Sequence, residues 1–143
     1  MSTRGSVAWR LTDGSTLGIY NHNCSQPTVL GRAVHTEARK LSLAGLVAKL
    51  KQHQQRSDAE ELYDPFQDPL SMEWVYVVEP NRDLIEVWAS APWTPELVAT
   101  HQVSSPVPYR RGYTYVHVHI ADIPVSIEPD WVDIEQRGKA FRT

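Results

Sequence analysis

Glu73-Trp74-Val75-Tyr76-Val77-Val78-Glu79, Pro80-Asn81-Arg82-Asp83 and Leu84-Ile85-Glu86-Val87-Trp88-Ala89 follow one another and decide the fold. β-Branched and aromatic residues dominate both arms, and turn formers join them, so the stretch predicts an antiparallel hairpin. For part of their length the arms are apolar on both faces, as central strands of a covered sheet are. The rest of the chain has to pack against this hairpin.

Downstream, Tyr113-Thr114-Tyr115-Val116-His117-Val118-His119-Ile120 alternates strictly. As a strand it puts Val116, Val118 and Ile120 on the core side. Tyr113, Tyr115, His117 and His119 fall on the other side, with the imidazoles about 7 Å apart. Between these strands, Leu97 to Val103 reads as a further strand carrying His101, and Ser104 to Gly112, with Arg110-Arg111, reads as a loop. After it, Pro124 to Glu128 reads as edge or coil. Pro129-Asp130 opens a short C-terminal helix through Trp131 and Ile134 that Gly138 ends.

Upstream, Ser6–Leu11 and Thr16–His22 flank Asp13-Gly14, a second hairpin signal. Ser25 is placed to cap a helix with Pro27 in its first turn. Leu30, Ala33, Val34, Glu37 and Leu41 keep helical spacing, and Leu43, Leu46, Val47 and Leu50 continue it as one stripe. Residues 58–71, acidic and holding Pro65 and Pro69, read as irregular. The expected fold is α+β, one domain over residues 1–143. It has a mostly antiparallel sheet of five or six strands, helices 27–41 and 42–55 on one face, and a short C-terminal helix.

With 143 residues, 41% hydrophobic and 22% charged, the chain has the composition of an ordinary globular domain. No apolar run approaches a membrane span and no secretory leader opens the chain, so the expected location is cytoplasmic. The single cysteine, Cys24, fits a reducing compartment. A net charge of −3 argues against general nucleic-acid binding, which relies on phosphate neutralisation. Five tryptophans and six tyrosines supply both core and the polar-tipped aromatics of binding surfaces.

Arg4-Gly5-Ser6-Val7-Ala8, Tyr20-Asn21-His22, Pro27 and Leu30-Gly31, with the arms Glu73–Val78 and Leu84–Trp88, resemble small uncharacterised proteins encoded by phages and bacteria. The resemblance covers about a third of the chain and implies a coherent fold and a mobile-element origin, with no activity attached. Where it leads one to expect an acidic residue and a tyrosine after Tyr-Asn-His, this chain has Asn23-Cys24-Ser25-Gln26.

His117-x-His119 is the one motif with metal-ligand character, since neutral imidazoles on one strand face suit a divalent transition metal such as zinc, iron or nickel. A third ligand could come from His22, His101, Glu73, Glu79 or Glu86. Alternatively, Tyr20 and His22 could join Tyr115, His117 and His119 in an aromatic–imidazole patch if their strands are neighbours. Arg110 and Arg111 could then hold a phosphate or carboxylate. Cys24 beside His22 has no acid partner to complete a nucleophilic pair, and Ser2, exposed by loss of Met1, lies on an unanchored tail. P-loop, G-x-G-x-x-G, G-x-S-x-G and C-x-x-C patterns are all missing.

The leading expectation is therefore a non-enzymatic binding protein, with phage kinship and no cofactor. It would hold a small anionic ligand or a protein partner on a face formed by Tyr20, His22, Arg110, Arg111, Tyr115, His117 and His119. Exposed aromatics and strand edges also suit a homo-oligomer. The alternative is a small metal-dependent hydrolase built on His117 and His119.

Overall fold

Gly14, at φ 88°, makes the turn that Asp13-Gly14 predicts, and β1 (Gly5–Arg10) and β2 (Thr16–Asn21) pair antiparallel around it. The computed structural model describes residues 3–56, 64–67, 72–108 and 112–142, with only the backbone of residues 53–56. The expected loop over residues 58–71 lies largely outside the described residues, as do Ser2, Arg110 and Arg111.

After β2 the chain enters a π-helical turn, Pro27–Gly31, which runs into α1 (Arg32–Arg56). Its entry is capped differently from the expected way. Gln26 occupies the cap position without a side-chain bond, while Ser25 is buried and its Oγ is engaged by Asn21. The two expected helices are one tract broken at Ser42, whose φ of 68° and ψ of 164° are non-helical. Ser42 Oγ then accepts from Gly45 N at 3.1 Å and caps the second half.

The central hairpin forms where the sequence places it, with β3 (Trp74–Glu79) and β4 (Leu84–Pro92) antiparallel and Asp83 at positive φ in the connection. Leu97–Val103 does not form the expected strand. Thr94 caps a short helix, α2 (Pro95–Thr100), by accepting from Leu97 N at 3.1 Å. A capping threonine, proline at the first helical position and Glu96 in the first turn favour a helix strongly enough to override local alternation. Val103 alone bridges to Val118.

β5 (Val107–Pro108) and β6 (Thr114–Pro124) complete a mixed sheet of order β2-β1-β3-β4-β6-β5, antiparallel except where β1 meets β3. Pro124, expected in an edge or coil segment, is the last residue of β6. α3 (Trp131–Lys139) is capped by Asp130 and runs through Gly138, which does not end it. A Cβ at Gly138 would collide with the Trp74 ring and with Ala89, so glycine is what lets α3 lie against the sheet.

α1 and α3 cover one face of the sheet. Val34, Ala38, Leu43, Leu46, Trp131 and Ile134 pack there on Val7, Trp74, Tyr76, Val78, Ile85 and Val87. Burying one such aromatic, at 150–250 Å² and ~25 cal/mol per Å², contributes roughly 4–6 kcal/mol before ordering costs. The chain closes with a 3-10 turn, Ala140–Arg142. Arg142 stacks 4.9 Å over Trp74 and donates to the carbonyls of Glu73 and Ser90. No helix among the described residues is long and apolar enough to cross a membrane.

Candidate functional site

The face opposite the helices is where side-chain alternation sends the polar residues of each strand. The alternation of β6 is as read from the sequence: Val116 and Val118 are buried with Ala91 against half-buried Leu97, and His117 and His119 face the other way. A β-bulge changes what comes next. Val87 pairs with Ala121 but Trp88 pairs with His119, so Ile120 is the extra residue. The extra residue shifts the phase by one, which brings Asp122, opposite Glu86, onto the same face as His119.

The two histidines share a face without sharing a site. His117 is 4% exposed, and its Nε2 donates to the Met72 carbonyl at 2.7 Å. Burial pushes its pKa down to about 4, so the ring stays neutral. His119 Nε2 instead donates to Asp122 Oδ1 at 2.7 Å. Four rings form a ladder of edge contacts: His119 against Trp88 (5.2 Å), Trp88 against Phe66 (5.1 Å) and Phe66 against His117 (5.4 Å).

Tyr20 packs against the cluster of Phe66, Met72 and Trp88, but its ring contact is with His22 and not with the ladder. β2 is the first strand of the sheet and β6 the fifth, with three strands, or about 19 Å, between them. Tyr20 hydroxyl meets His22 Nδ1, just past the end of β2, at 2.7 Å, and Cys24 is exposed at φ 55°. Tyr115 is half-buried on β6 opposite Pro92. The ring contacts of the β6 histidines are thus made with Trp88 and Phe66, and not with Tyr20 and His22.

Beside the ladder lies an ion-pair network. Arg10, one-third exposed, donates from Nε to Glu79 at 2.8 Å and from Nη2 to Glu86 at 3.1 Å. Arg82 reaches Glu79 (3.0 Å), Glu86 (3.4 Å) and Asp122 (3.3 Å), and Trp88 Nε1 donates to Glu86 Oε1 at 2.9 Å. Burial, together with the neighbouring Glu86, pushes Glu79 up to about 7. Burial also pushes Glu86 up, but its hydrogen bonds from Glu79 and Arg10, the charge of Arg10 and the bond from Trp88 outweigh that and hold it below the usual carboxylate range. Below about pH 7 the pair therefore holds one proton, on Glu79.

Glu86, His119 and Asp122 are the set with metal-ligand geometry among the described residues, their ligand atoms lying within 4.8 Å of one another. Glu86 is one of the third ligands expected from the sequence, while Asp122 replaces His117. Both Glu86 oxygens and Asp122 Oδ2 are already bonded to arginine. A metal would compete with Arg10 and Arg82 for these oxygens.

A cavity of about 290 Å³ opens on this face. Trp88 and Phe66 give it aromatic walls, and Arg10, Ser15, Thr16, Asp64, Gln67 and Ser104 give it polar ones. Thr16 Oγ1 donates to Asp64 Oδ1 at 2.6 Å, tying the 64–67 turn over the β1–β2 hairpin. Trp88 had a sequence signal, as an aromatic in phase with Glu86 on a certain strand; Phe66 and Ser104 had none, because only tertiary packing brings their loops over the sheet. Compared with protein-family models, curated proteins and solved structures, the chain matches none.

Proposed function

We propose that this chain is a non-enzymatic binding protein whose ligand seats on the sheet face opposite the helices. The observation that carries the reading is the cavity set over the Trp88–Phe66 corner of the ring ladder. Aromatic walls favour a flat body, and hydroxyl and carboxamide groups favour a hydrogen-bonding edge. Arg10 is bonded to Glu79, Glu86 and the Gly14 carbonyl, so the described walls favour a flat polar molecule of little net charge. The anion-binding role expected of Arg110 and Arg111 falls outside the described residues.

Native mass spectrometry of protein purified without denaturation tests this. The expected result is a small-molecule adduct lost in Trp88→Ala and Phe66→Ala variants that still fold. A chain that carries neither adduct nor metal overturns it. Stoichiometric zinc, iron or manganese without adduct would favour the metal-dependent hydrolase instead. A protein partner is a second reading, favoured by the outer edge of β2, which no described strand covers. Homo-oligomerisation through that edge would show in light scattering and disappear on placing proline at Ile19.

A further inference from the structure

A second cavity, of about 300 Å³, lies between the end of α2, β6 and the C-terminal turn. It is lined by His101, His119, Ile120, Arg137, Ala140 and Phe141 and shares no lining residue with the Arg10 cavity. Its polar side chains are two imidazoles and a guanidinium, with no carboxylate among the lining residues.

Each of the three is braced by an oxygen. Thr100 Oγ1 holds His101 Nδ1 at 2.8 Å, and Asp122 holds His119 Nε2 at 2.7 Å. Arg137 Nη1 donates to the Ile120 carbonyl at 3.1 Å, and its Nε lies 3.2 Å from Asp133. Bracing orients these groups and leaves His101 Nε2 and His119 Nδ1 without a hydrogen-bond partner among the described residues. Phe141 packs edge-on against His101, with centroids 5.1 Å apart, and with Ile120 and Ala140 supplies an apolar wall.

A guanidinium held in place beside an apolar wall complements a molecule with an anionic head and an apolar body. We infer that this cavity binds a small organic carboxylate, with Arg137 on the carboxylate and His101, Phe141 and Ile120 against the body. The inference uses a different cavity from the proposed function and can fail or hold without it.

Benzoate is the probe, with benzyl alcohol as its uncharged counterpart and inorganic phosphate as a bare anion. Imidazole carbon–proton NMR signals of His101 and His119 are expected to shift saturably with benzoate. Arg137→Gln should weaken benzoate about tenfold or more, because it removes a charge-assisted contact. Arg137→Lys, which keeps the charge, should retain most of the affinity. Absence of a saturable shift, equal binding of benzyl alcohol, an unchanged Arg137→Gln variant, or phosphate binding in place of benzoate would each overturn the inference.

Discussion

His117 Nε2 donates to the Met72 carbonyl oxygen at 2.7 Å, so a neutral imidazole ties β6 to the chain just ahead of β3. Burial holds this ring at a pKa of about 4, against an ordinary 6.5. As pH falls through 6.5 the unfolded chain takes up a proton that the native ring refuses until about pH 4. The contribution of His117 is therefore full above 6.5 and lost between 6.5 and 4, by up to about 3 kcal/mol at ~1.4 kcal/mol per pH unit. His117→Gln keeps an N–H for Met72 and cannot titrate. Urea unfolding from pH 7 to pH 4 should show the wild type losing stability relative to this variant, and parallel curves would contradict the assignment.

Gly138 and Gly45 make a matched pair of helical glycines in different surroundings. A Cβ at Gly138 meets the Trp74 ring and Ala89, whereas one at Gly45 comes no nearer than 3.3 Å to Leu41 and Ser42. Alanine gains about 1 kcal/mol of helix propensity at either position, and overpacking costs roughly 1–3 kcal/mol where the ring cannot yield. Gly138→Ala should thus lower stability by up to about 2 kcal/mol, while Gly45→Ala should be neutral or stabilising. Denaturant midpoints of both variants check the contrast.

Both hairpins are legible in the sequence because their signals are local: Asp13-Gly14 and Pro80–Asp83 sit between runs that already favour strands. The face of His117 and His119 is legible for the same reason. What period-two reading cannot carry is the bulge at Ile120, which turns Asp122 toward His119 and creates the acid–imidazole contact. Strand order is equally hidden. The parallel pairing of β1 with β3 is decided by packing between distant segments, and it separates Tyr20 from the histidines of β6. At α2 two local signals compete, the Thr94-Pro95-Glu96 helix start and the strand-like alternation that follows it, and the cap decides.

Ser42 holds a backbone conformation that L-residues rarely adopt, at φ 68° and ψ 164°. Such a residue costs of order 1–3 kcal/mol, while a serine cap replaced by glycine loses only a few tenths. Ser42→Gly is expected to stabilise the fold by about 1 kcal/mol. Ser42→Ala keeps the strain, loses the bond to Gly45 N, and should destabilise by about 1 kcal/mol. Opposite signs in thermal unfolding would confirm that the break in α1 is strained and capped by the same side chain.

Glu79 acts in the opposite direction to His117. Burial and then Glu86 raise it from 4.5 to about 7, so the native state holds a proton that the unfolded chain releases first. Its contribution is full below about 4.5 and is lost as pH rises to about 7, by about 1–3 kcal/mol. Glu79→Gln mimics the protonated carboxyl, so the wild type should lose stability relative to it across that window and run parallel above it. Glu86→Gln removes the charge that opposes ionisation of Glu79, and should move the titration to lower pH. Because this window overlaps that of His117 with contrary sign, the wild-type profile alone would look flat, and only the paired variants separate the two. Curves for wild type and Glu79→Gln that stay parallel from pH 4.5 to 8 would mean that Glu79 is ionised throughout, its charge borne by Arg10 and Arg82.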